Sequence, residues 1–489
     1  MMGSVVVYYK GIKRKGSFVM TYDFNGMTVA LIGAGVSNTP LAKYFTDKGA
    51  TVTVRDKKTE AELGEDRCSE LRDAGATLIC GDGYLEDLTE ELVVRSPGIR
   101  QDIPEFEAVR ARGGRVITEL GLFLESSPAK VYAVTGSDGK STTTTVTSIL
   151  LERALSGTGN AYLGGNIGEP LLHRMDGMTD ADGVAAEISS FQLMDADFEA
   201  ESAVITNITP NHLNWHTGMD EYIEAKKIVL RHAKRAVLNY GNSVTREIGM
   251  ACECPVVWFS RDPIPDDVPE KDIRIFPENG VITVYRHGTT PEAVLPLDGI
   301  LLPGMHNAEN YMAAIGATLG AVSAEDIRDV AATFGGVRHR LELVRVTDDV
   351  AYYNSSIDSS PTRTAAALSA LPDRELHLIC GGYDKLIPFE PLADAVIGCG
   401  NVKTLVLTGA TADKIDAAMK AHPKFTASGI TLIRKPDFED AVKAASLAAH
   451  ESDSATPKAV LLSPACASFD AFANFEERGR RFSEIVREI

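Results

Sequence analysis

The stretch Val131-Tyr-Ala-Val-Thr-Gly-Ser-Asp-Gly-Lys-Ser-Thr142 carries the residue types that a polyphosphate needs. An apolar run ends in Gly136, Ser137, Asp138 and Gly139; Lys140, Ser141 and Thr142 then open a threonine-rich segment that reads as a helix. A strand, a glycine loop and a helix N-terminus make an anion cradle. Backbone N–H groups and the helix dipole face the phosphates, Lys140 supplies a point charge, and Ser141 offers a hydroxyl to Mg²⁺. The common P-loop places four residues between its first glycine and the Gly-Lys pair. Here two residues separate Gly136 from Gly139, so the loop is a shortened variant. A bare strand-to-helix turn has no need of Gly-Lys-Ser-Thr in that order, and nucleoside triphosphate chemistry is the working hypothesis.

Three further residues bear on that hypothesis. Glu187 closes the apolar run Gly183-Val-Ala-Ala and precedes Ile188-Ser-Ser-Phe-Gln-Leu193. An acid at the end of a buried strand, downstream of a P-loop, is placed to hold Mg²⁺ directly or through water. The alternative is a strand-end cap or a surface ion pair. His212 lies in Thr206-Asn-Ile-Thr-Pro-Asn-His-Leu-Asn-Trp-His216, and its spacing alone does not separate a ligand from an ordinary loop histidine. The following segment, Glu221 to Leu230, reads as a helix on which Tyr222, Ile223, Val229 and Leu230 form one apolar arc. Lys226 falls at the centre of that arc and Lys227 at its edge. Burial of a lysine lowers its pKa and frees the amine for reaction.

Other clusters lie beside candidate strands and helices. Leu302-Pro-Gly-Met-His-Asn-Ala-Glu-Asn310 opens an Ala-rich helix, which puts amides at an adenine or phosphate edge. Gly336-Val-Arg-His-Arg-Leu-Glu342 offers an arginine that can reach a phosphate. Gly381-Gly-Tyr-Asp-Lys385 and Ser463-Pro-Ala-Cys-Ala-Ser-Phe-Asp470 each follow an apolar strand, with Asn474-Phe-Glu-Glu-Arg-Gly479 beyond. A lysine, hydroxyls and helix N-termini around one surface suit a carboxylate ligand. Cys466 has no histidine near it in sequence and reads as a small buried apolar residue.

The elements that must position these groups alternate strand and helix. Met27 to Gly35 is a strand running into a glycine turn, Pro40 to Lys48 reads as a helix, and Thr51 to Asp56 is a second strand. In this βαβ unit Asp56 stands where a ribose-binding acid would lie, but Asn38 occupies the place of the third fingerprint glycine. The unit says nucleotide and leaves a nicotinamide dinucleotide open. With 489 residues, about 150 per domain, the chain divides as an extension 1–26, a Rossmann-like domain 27–118, a P-loop domain 119–336 and a Rossmann-like C-terminal domain 337–489. Met20 or Met27 is an alternative start, with a loose segment before it. Further strands are expected at Gly183–Ile188, Ser202–Ile208, Ala236–Asn239, Val281–Tyr285, Ala293–Leu297, Leu376–Cys380, Thr404–Leu407 and Ala459–Leu462. A net charge of −19 argues against a nucleic-acid backbone as partner. Seven scattered cysteines without a Cys-x-x-Cys pair fit a reducing cytoplasm, and no apolar stretch is long enough for a membrane span.

Taken together, these motifs resemble those of the Mur ligase family, ATP-dependent amide-forming enzymes of peptidoglycan synthesis. The resemblance runs from about Met27 to the C-terminus. It rests on Thr135-Gly-Ser-Asp-Gly-Lys-Ser-Thr142, Gly164-Gly-Asn-Ile-Gly168, Glu187-Ile-Ser-Ser-Phe-Gln-Leu193, His212 with Lys226, Pro303-Gly-Met-His-Asn307 and the two C-terminal motifs. The last pair is typical of the member that adds D-glutamate. The resemblance implies ATP, UDP-N-acetylmuramoyl-L-alanine and D-glutamate as substrates and two Mg²⁺ ions, in a cytoplasmic monomer. Lys140, Glu187, His212 and Lys226 would be catalytic, and Ser141, Glu187, His212 and a carbamylated Lys226 would hold the metals. Gly136 to Thr142, Asn310, Arg340 and Ser359 would meet ATP. Ser37, Asn38, Asp56, Ser96, Gly98 and Asn166 would meet the UDP-substrate, and Lys385, Ser468 and Phe475 D-glutamate.

The chain departs from the family pattern at two acids. Asn214 stands where an aspartate is usual, two residues after His212, and Ser355 replaces the acid of an Asn-Asp-Ser segment, with Asp358 three residues later as a substitute. Rival readings are a ligase adding another amino acid, a folylpolyglutamate synthetase, a nicotinamide-dependent oxidoreductase and a non-catalytic nucleotide-binding regulator. The oxidoreductase leaves Lys140, Glu187 and Lys226 without a role. The regulator has no use for the D-glutamate cluster.

Overall fold

The structure, a computed structural model, describes residues 10–489 except 15–16, 36–37, 169, 212–214, 303 and 385–386. It divides into two compact units, Met1–Phe334 and Gly335–Ile489, with the break at the Gly335-Gly336 pair. The first unit contains a five-stranded and a nine-stranded sheet, and the second a six-stranded sheet. All are built mainly of parallel strands joined by helices, so the chain is α/β throughout.

The five-stranded sheet runs Thr77–Cys80, Thr51–Asp56, Thr28–Ile32, Leu92–Arg95, Arg115–Thr118, all parallel. Its order reverses between Thr28–Ile32 and Leu92–Arg95. That switch point leaves a crevice beyond the carboxyl ends of the two strands, between Gly33 and Ser96. The segment read as a loose extension includes an antiparallel hairpin, Lys10–Arg14 with Ser17–Thr21. The sequence reading missed it because the polar and basic residues of the first strand mask any alternation.

The nine-stranded sheet is centred on Lys130–Thr135, flanked by Gly183–Glu187 and Ser202–Ile205. Val131 to Thr135 are all buried, and the uninterrupted apolar run reflects a parallel strand covered on both faces. One edge continues through Ala236–Asn239 and Val256–Phe259 into Ile273–Glu278, Val281–Arg286 and Glu292–Pro296, the last two pairings being antiparallel. The helix Lys140–Ala154 follows the central strand. Its threonines are poor helix formers, but Thr144, Thr145 and Thr147 return their hydroxyls to the carbonyls of Lys140, Ser141 and Thr143, at 2.7–2.8 Å. The Ala-rich helix Met305–Ala317 packs closely: a Cβ on Gly316 would stand 2.8 Å from Val237.

In the second unit the order is Glu342–Thr347, Val350–Asn354, Lys458–Leu462, Glu375–Cys380, Val402–Leu407, Thr431–Arg434, with only the first pairing antiparallel. The loops after Asn354, Cys380, Leu407 and Leu462 therefore gather at one edge. Ser355 N–H donates to Leu462 O at 2.8 Å and Gly381 N–H to Pro464 O at 2.9 Å. Most expected strands recur within a residue or two; Ser202–Ile205 ends three residues before the expected Ile208 because the chain turns there toward the P-loop.

Candidate active site

The P-loop is shaped by two glycines that no other residue could replace without displacing a neighbour. Gly136 has φ +145°, and a Cβ there would lie 1.9 Å from Thr206 Oγ1. Gly139, in the left-handed region at φ +78°, precedes the helix, and its Cβ would meet Asn310 Oδ1 at 2.4 Å. Asn310 thus sits against the P-loop, accepting from Thr143 Oγ1 at 3.3 Å, although the two are 167 residues apart. Ser137 N–H donates to Asn207 O at 2.9 Å and Asp138 N–H to Asn207 Oδ1 at 3.0 Å. Lys140 Nζ folds back over the loop onto Ser137 O at 2.9 Å, and Ser141 is buried at the helix start.

Next to this loop are Glu187, Asn166 and Lys226. Asn166 Nδ2 donates to Glu187 Oε1 at 2.9 Å. Glu187 Oε2 is buried and has no hydrogen-bond partner among the described residues. Lys226 is 1% exposed, and its Nζ donates to Gly136 O at 2.8 Å and Thr135 Oγ1 at 3.2 Å, above the Tyr222 ring at 4.7 Å. Burial and then the nearby Lys140 push its pKa well below that of an ordinary lysine, against the opposing pull of Glu187 and Asp138. Lys227 points outward and pairs with Glu224 at 2.7 Å. The helical wheel located Lys226 well but overran the helix, which ends at Lys227 and tightens into a 3₁₀ turn over Ile228–Leu230. A divalent cation fits this donor set. An orphaned carboxylate oxygen, a buried hydroxyl at Ser141 and an amine whose pKa burial depresses are hard ligands or their precursors, and an unsatisfied buried acid is costly without a cation.

The first unit's other crevice collects Asn38, Asp56, Ser96 and Gly98 at the switch point. Asp56 accepts from Ala34 N–H at 2.6 Å and from Lys58 N–H at 2.8 Å, so it braces the glycine turn. Asn38 donates its amide to Gly33 O, bridging the turn at the position of the missing glycine. Arg67, which the sequence did not single out, clamps the same turn through Ala34 O at 2.8 Å, Gly35 O and Thr39 Oγ1. Ser37, His212 and Lys385, and the substitution at Asn214, lie outside the described residues.

In the second unit Ser468 is buried, and its carbonyl accepts from Ala471 and Phe472 N–H at 3.1 and 2.9 Å. Phe475 opens the helix Phe475–Glu488, and its carbonyl accepts from Ser356 Oγ at 2.8 Å. Arg478 is buried, with no carboxylate partner among the described residues. It donates to Ser356 Oγ and O, Ala467 O and Cys466 O at 2.8–3.1 Å, tying the 356 and 466 loops to this helix. Arg340 is exposed between His339 at φ +63° and Leu341 at φ +46°, and Ser359 N–H donates to Ile357 O at 2.8 Å. Asp358 turns inward, accepting from Ser463 Oγ at 2.8 Å, and burial raises its pKa. It is therefore not a solvent-facing replacement for the acid missing at Ser355, whose own Oγ accepts from Leu341 N–H. Cys466 is buried with its thiol pushed up to about 11, as an inert cysteine should be.

The Mur ligase middle-domain profile matches residues 134–318, the span from the P-loop to the end of the Asn310 helix. A UDP-N-acetylmuramoylalanine–D-glutamate ligase of Acetivibrio thermocellus is 42% identical over 468 residues, covering 94% of this chain and 96% of the relative. The chain belongs to the Mur ligase family. A relative of the same name from Clostridium perfringens is 42% identical over 482 residues, covering 96% of this chain and all of that one. The solved UDP-N-acetylmuramate–alanine ligase of Thermotoga maritima aligns over 94% of this chain and 99% of its own, with a TM-score of 0.53 and 17% identity, and this shows the shared fold. As a Mur ligase the protein uses ATP and Mg²⁺, in keeping with the glycine cradle and the Glu187 carboxylate. No helix among the described residues is long and apolar enough to cross a membrane.

Proposed function

We propose that this Mur ligase joins D-glutamate to UDP-N-acetylmuramoyl-L-alanine, forming UDP-N-acetylmuramoyl-L-alanyl-D-glutamate, ADP and phosphate in peptidoglycan precursor synthesis. A carboxylate is a poor electrophile. The γ-phosphoryl group of ATP passes to the L-alanyl carboxylate, and the D-glutamate amine attacks the resulting acyl phosphate through a tetrahedral intermediate, expelling phosphate.

In this reading Gly136 to Thr142 cradle the triphosphate, and Lys140 leaves Ser137 O to sit on the transferring phosphoryl group. Asn310, with Arg340 and Ser359 by resemblance, orients ATP. Asn38, Asp56, Ser96 and Gly98, with Ser37 by resemblance, hold the uridine nucleotide; Asn166 meets the muramoyl part next to Glu187. Ser468 and Phe475, with Lys385 by resemblance, receive D-glutamate. Mg²⁺, when bound, neutralises the charge that builds on the phosphoryl oxygens. Ser141, Glu187 and Lys226, with His212 by resemblance, would hold two ions, Lys226 as a carbamate. The domains follow as 27–118 for the UDP-substrate, 119–336 for ATP and 337–489 for D-glutamate, after the extension 1–26, in a cytoplasmic monomer.

The observation that carries the reading is the buried pair of Glu187, with its unpartnered Oε2, and Lys226, with its depressed pKa, beside a P-loop. A neutral amine can capture CO₂ and become an anionic ligand. Phosphate release with UDP-N-acetylmuramoyl-L-alanine against a panel of amino acids tests the assignment: D-glutamate should be the strong co-substrate, and a preference for another amino acid would replace it. Calorimetry should find the UDP-sugar, and not NAD, at the first crevice.

A further inference from the structure

Ser190, His216 and Glu221 form a continuous hydrogen-bonded line in the first unit. Ser190 Oγ lies 2.8 Å from His216 Nε2, and His216 Nδ1 lies 3.1 Å from Glu221 Oε2. The distances are those of a serine nucleophile with its base and orienting acid. Ser190 and His216 are 2% and 3% exposed, however, and the acid is committed elsewhere. Arg100 grips Glu221 at 3.0 and 3.3 Å, and Thr217 N–H donates to it at 2.8 Å. No substrate reaches such a hydroxyl, so the line holds structure in place.

What it holds is specific. Ser190 is three residues beyond Glu187, on the short helix that follows that strand end. Glu221 and Tyr222 are on the helix that carries Lys226, and the His216 ring also meets Tyr222 at 5.2 Å. Arg100 belongs to the loop after Leu92–Arg95, the Ser96–Gly98 side of the switch-point crevice. It lies 4.9 Å over the Trp215 ring and donates to Trp215 O at 2.8 Å, while Trp215 Nε1 donates to Gly98 O at 3.1 Å. The Phe191 ring meets Trp215 at 4.4 Å, tilted by 45° to it. One buried histidine thus joins the two segments that carry Glu187 and Lys226, and Glu221 and Trp215 extend the link to the segment that carries Gly98.

We propose that His216 is a positioning residue for the metal site, and that through Glu221, Arg100 and Trp215 it couples the UDP-substrate loop to the segments bearing Glu187 and Lys226. The proposal rests on the roles given above to Glu187 and Lys226. Occupancy at Gly98 restrains Trp215 and Arg100, these restrain Glu221 and His216, and the metal-ligating groups are held closer to their working geometry. Outer groups that orient ligands typically change metal affinity or activity by about 10–100-fold when removed.

The test measures Mn²⁺ binding by water-proton relaxation, with ADP present, with and without UDP-N-acetylmuramoyl-L-alanine. Wild-type protein should bind Mn²⁺ several-fold more tightly when the UDP-substrate is present. His216→Ala and Arg100→Ala should weaken Mn²⁺ binding by about tenfold and abolish that tightening, while the Michaelis constant for D-glutamate stays within about twofold. His216→Gln retains a donor and an acceptor and should recover much of the affinity; it also serves if His216→Ala fails to fold, with thermal melting recorded for every variant. Folded His216→Ala or His216→Gln and Arg100→Ala proteins that bind Mn²⁺ as wild type does, tightening included, overturn the proposal. A wild type that binds Mn²⁺ but does not ligate D-glutamate refutes the substrate assignment alone, and weakened binding in the variants then still supports the positioning role.

Discussion

Asn166 makes two hydrogen bonds to one residue: its backbone N–H donates to Glu187 O at 2.8 Å, and its Nδ2 to Glu187 Oε1 at 2.9 Å. The backbone bond fixes the end of one strand against its neighbour. The side-chain bond occupies one carboxylate oxygen and leaves the other buried, with no hydrogen-bond partner among the described residues. A residue expected to touch the muramoyl substrate therefore also orients the carboxylate proposed above to hold Mg²⁺.

Asn166→Ala should accordingly raise both the Michaelis constant for the UDP-substrate and the Mg²⁺ concentration at half-saturation, each by about tenfold. Asn166→Asp should be worse, because two carboxylates within hydrogen-bond distance repel unless one takes a proton. Steady-state kinetics with Mg²⁺ and UDP-substrate varied in turn would check both; a change confined to the UDP-substrate would show that the bond to Glu187 has no part in metal binding.

Lys140→Ala should lower turnover by at least about two orders of magnitude, the loss expected when a charge contact made in the transition state is removed. The Lys140 ammonium now rests on Ser137 O and has only to swing to the phosphates, so the fold should survive the truncation. Near-normal phosphate release in the folded variant would remove the P-loop assignment.

The adjacent lysines of the Met219–Lys227 helix should part company. Lys226→Ala should be nearly inactive, with acetate or formate restoring part of the activity by filling the vacated anionic position. Lys227→Ala should stay close to wild type, because its exposed pair with Glu224 contributes at most about 0.5 kcal/mol. Loss of activity in Lys227→Ala with activity kept in Lys226→Ala would reverse the ligand assignment.

That contrast was legible in the sequence because burial on a helix follows a period, and about 100° separates one residue from the next. The P-loop was legible because its chemistry is local. Asn310 was placed by motif alone, and its contact with Thr143 depends on two helices, far apart in sequence, packing side by side on one sheet. Nothing local announced the Arg100–Glu221 pair, whose members are 121 residues apart, or the burial of His216 between Ser190 and Glu221. Such polar contacts arise when two sheets of one unit are brought together, and neither periodicity nor spacing encodes them. Asp358 shows the opposite failure. Its position three residues after Ser355 suggested a substitute acid, whereas the turn directs its carboxylate to Ser463.

Glu119 gives a prediction for stability. It opens the helix Glu119–Ser126, and its Oε1 accepts from Leu172 N–H at 2.8 Å. Burial raises its pKa to about 7, against the lowering effect of the Leu172 and Leu171 N–H groups. Below the ordinary carboxylate value of 4.5 the residue is protonated in both folded and unfolded chains, and its contribution is fully present. Between 4.5 and about 7 the folded protein keeps a proton that the unfolded chain has lost, so stability falls as pH rises through this window, and above it the loss is complete. The full difference is about 3 kcal/mol at about 1.4 kcal/mol per pKa unit, less whatever solvent access relieves. Glu119→Gln keeps the carbonyl acceptor for Leu172 and cannot ionise. Urea unfolding of the first unit at pH 5 and pH 8 should therefore find the variant gaining on wild type at the higher pH. Parallel pH profiles for the two proteins would mean that Glu119 titrates as an ordinary surface acid.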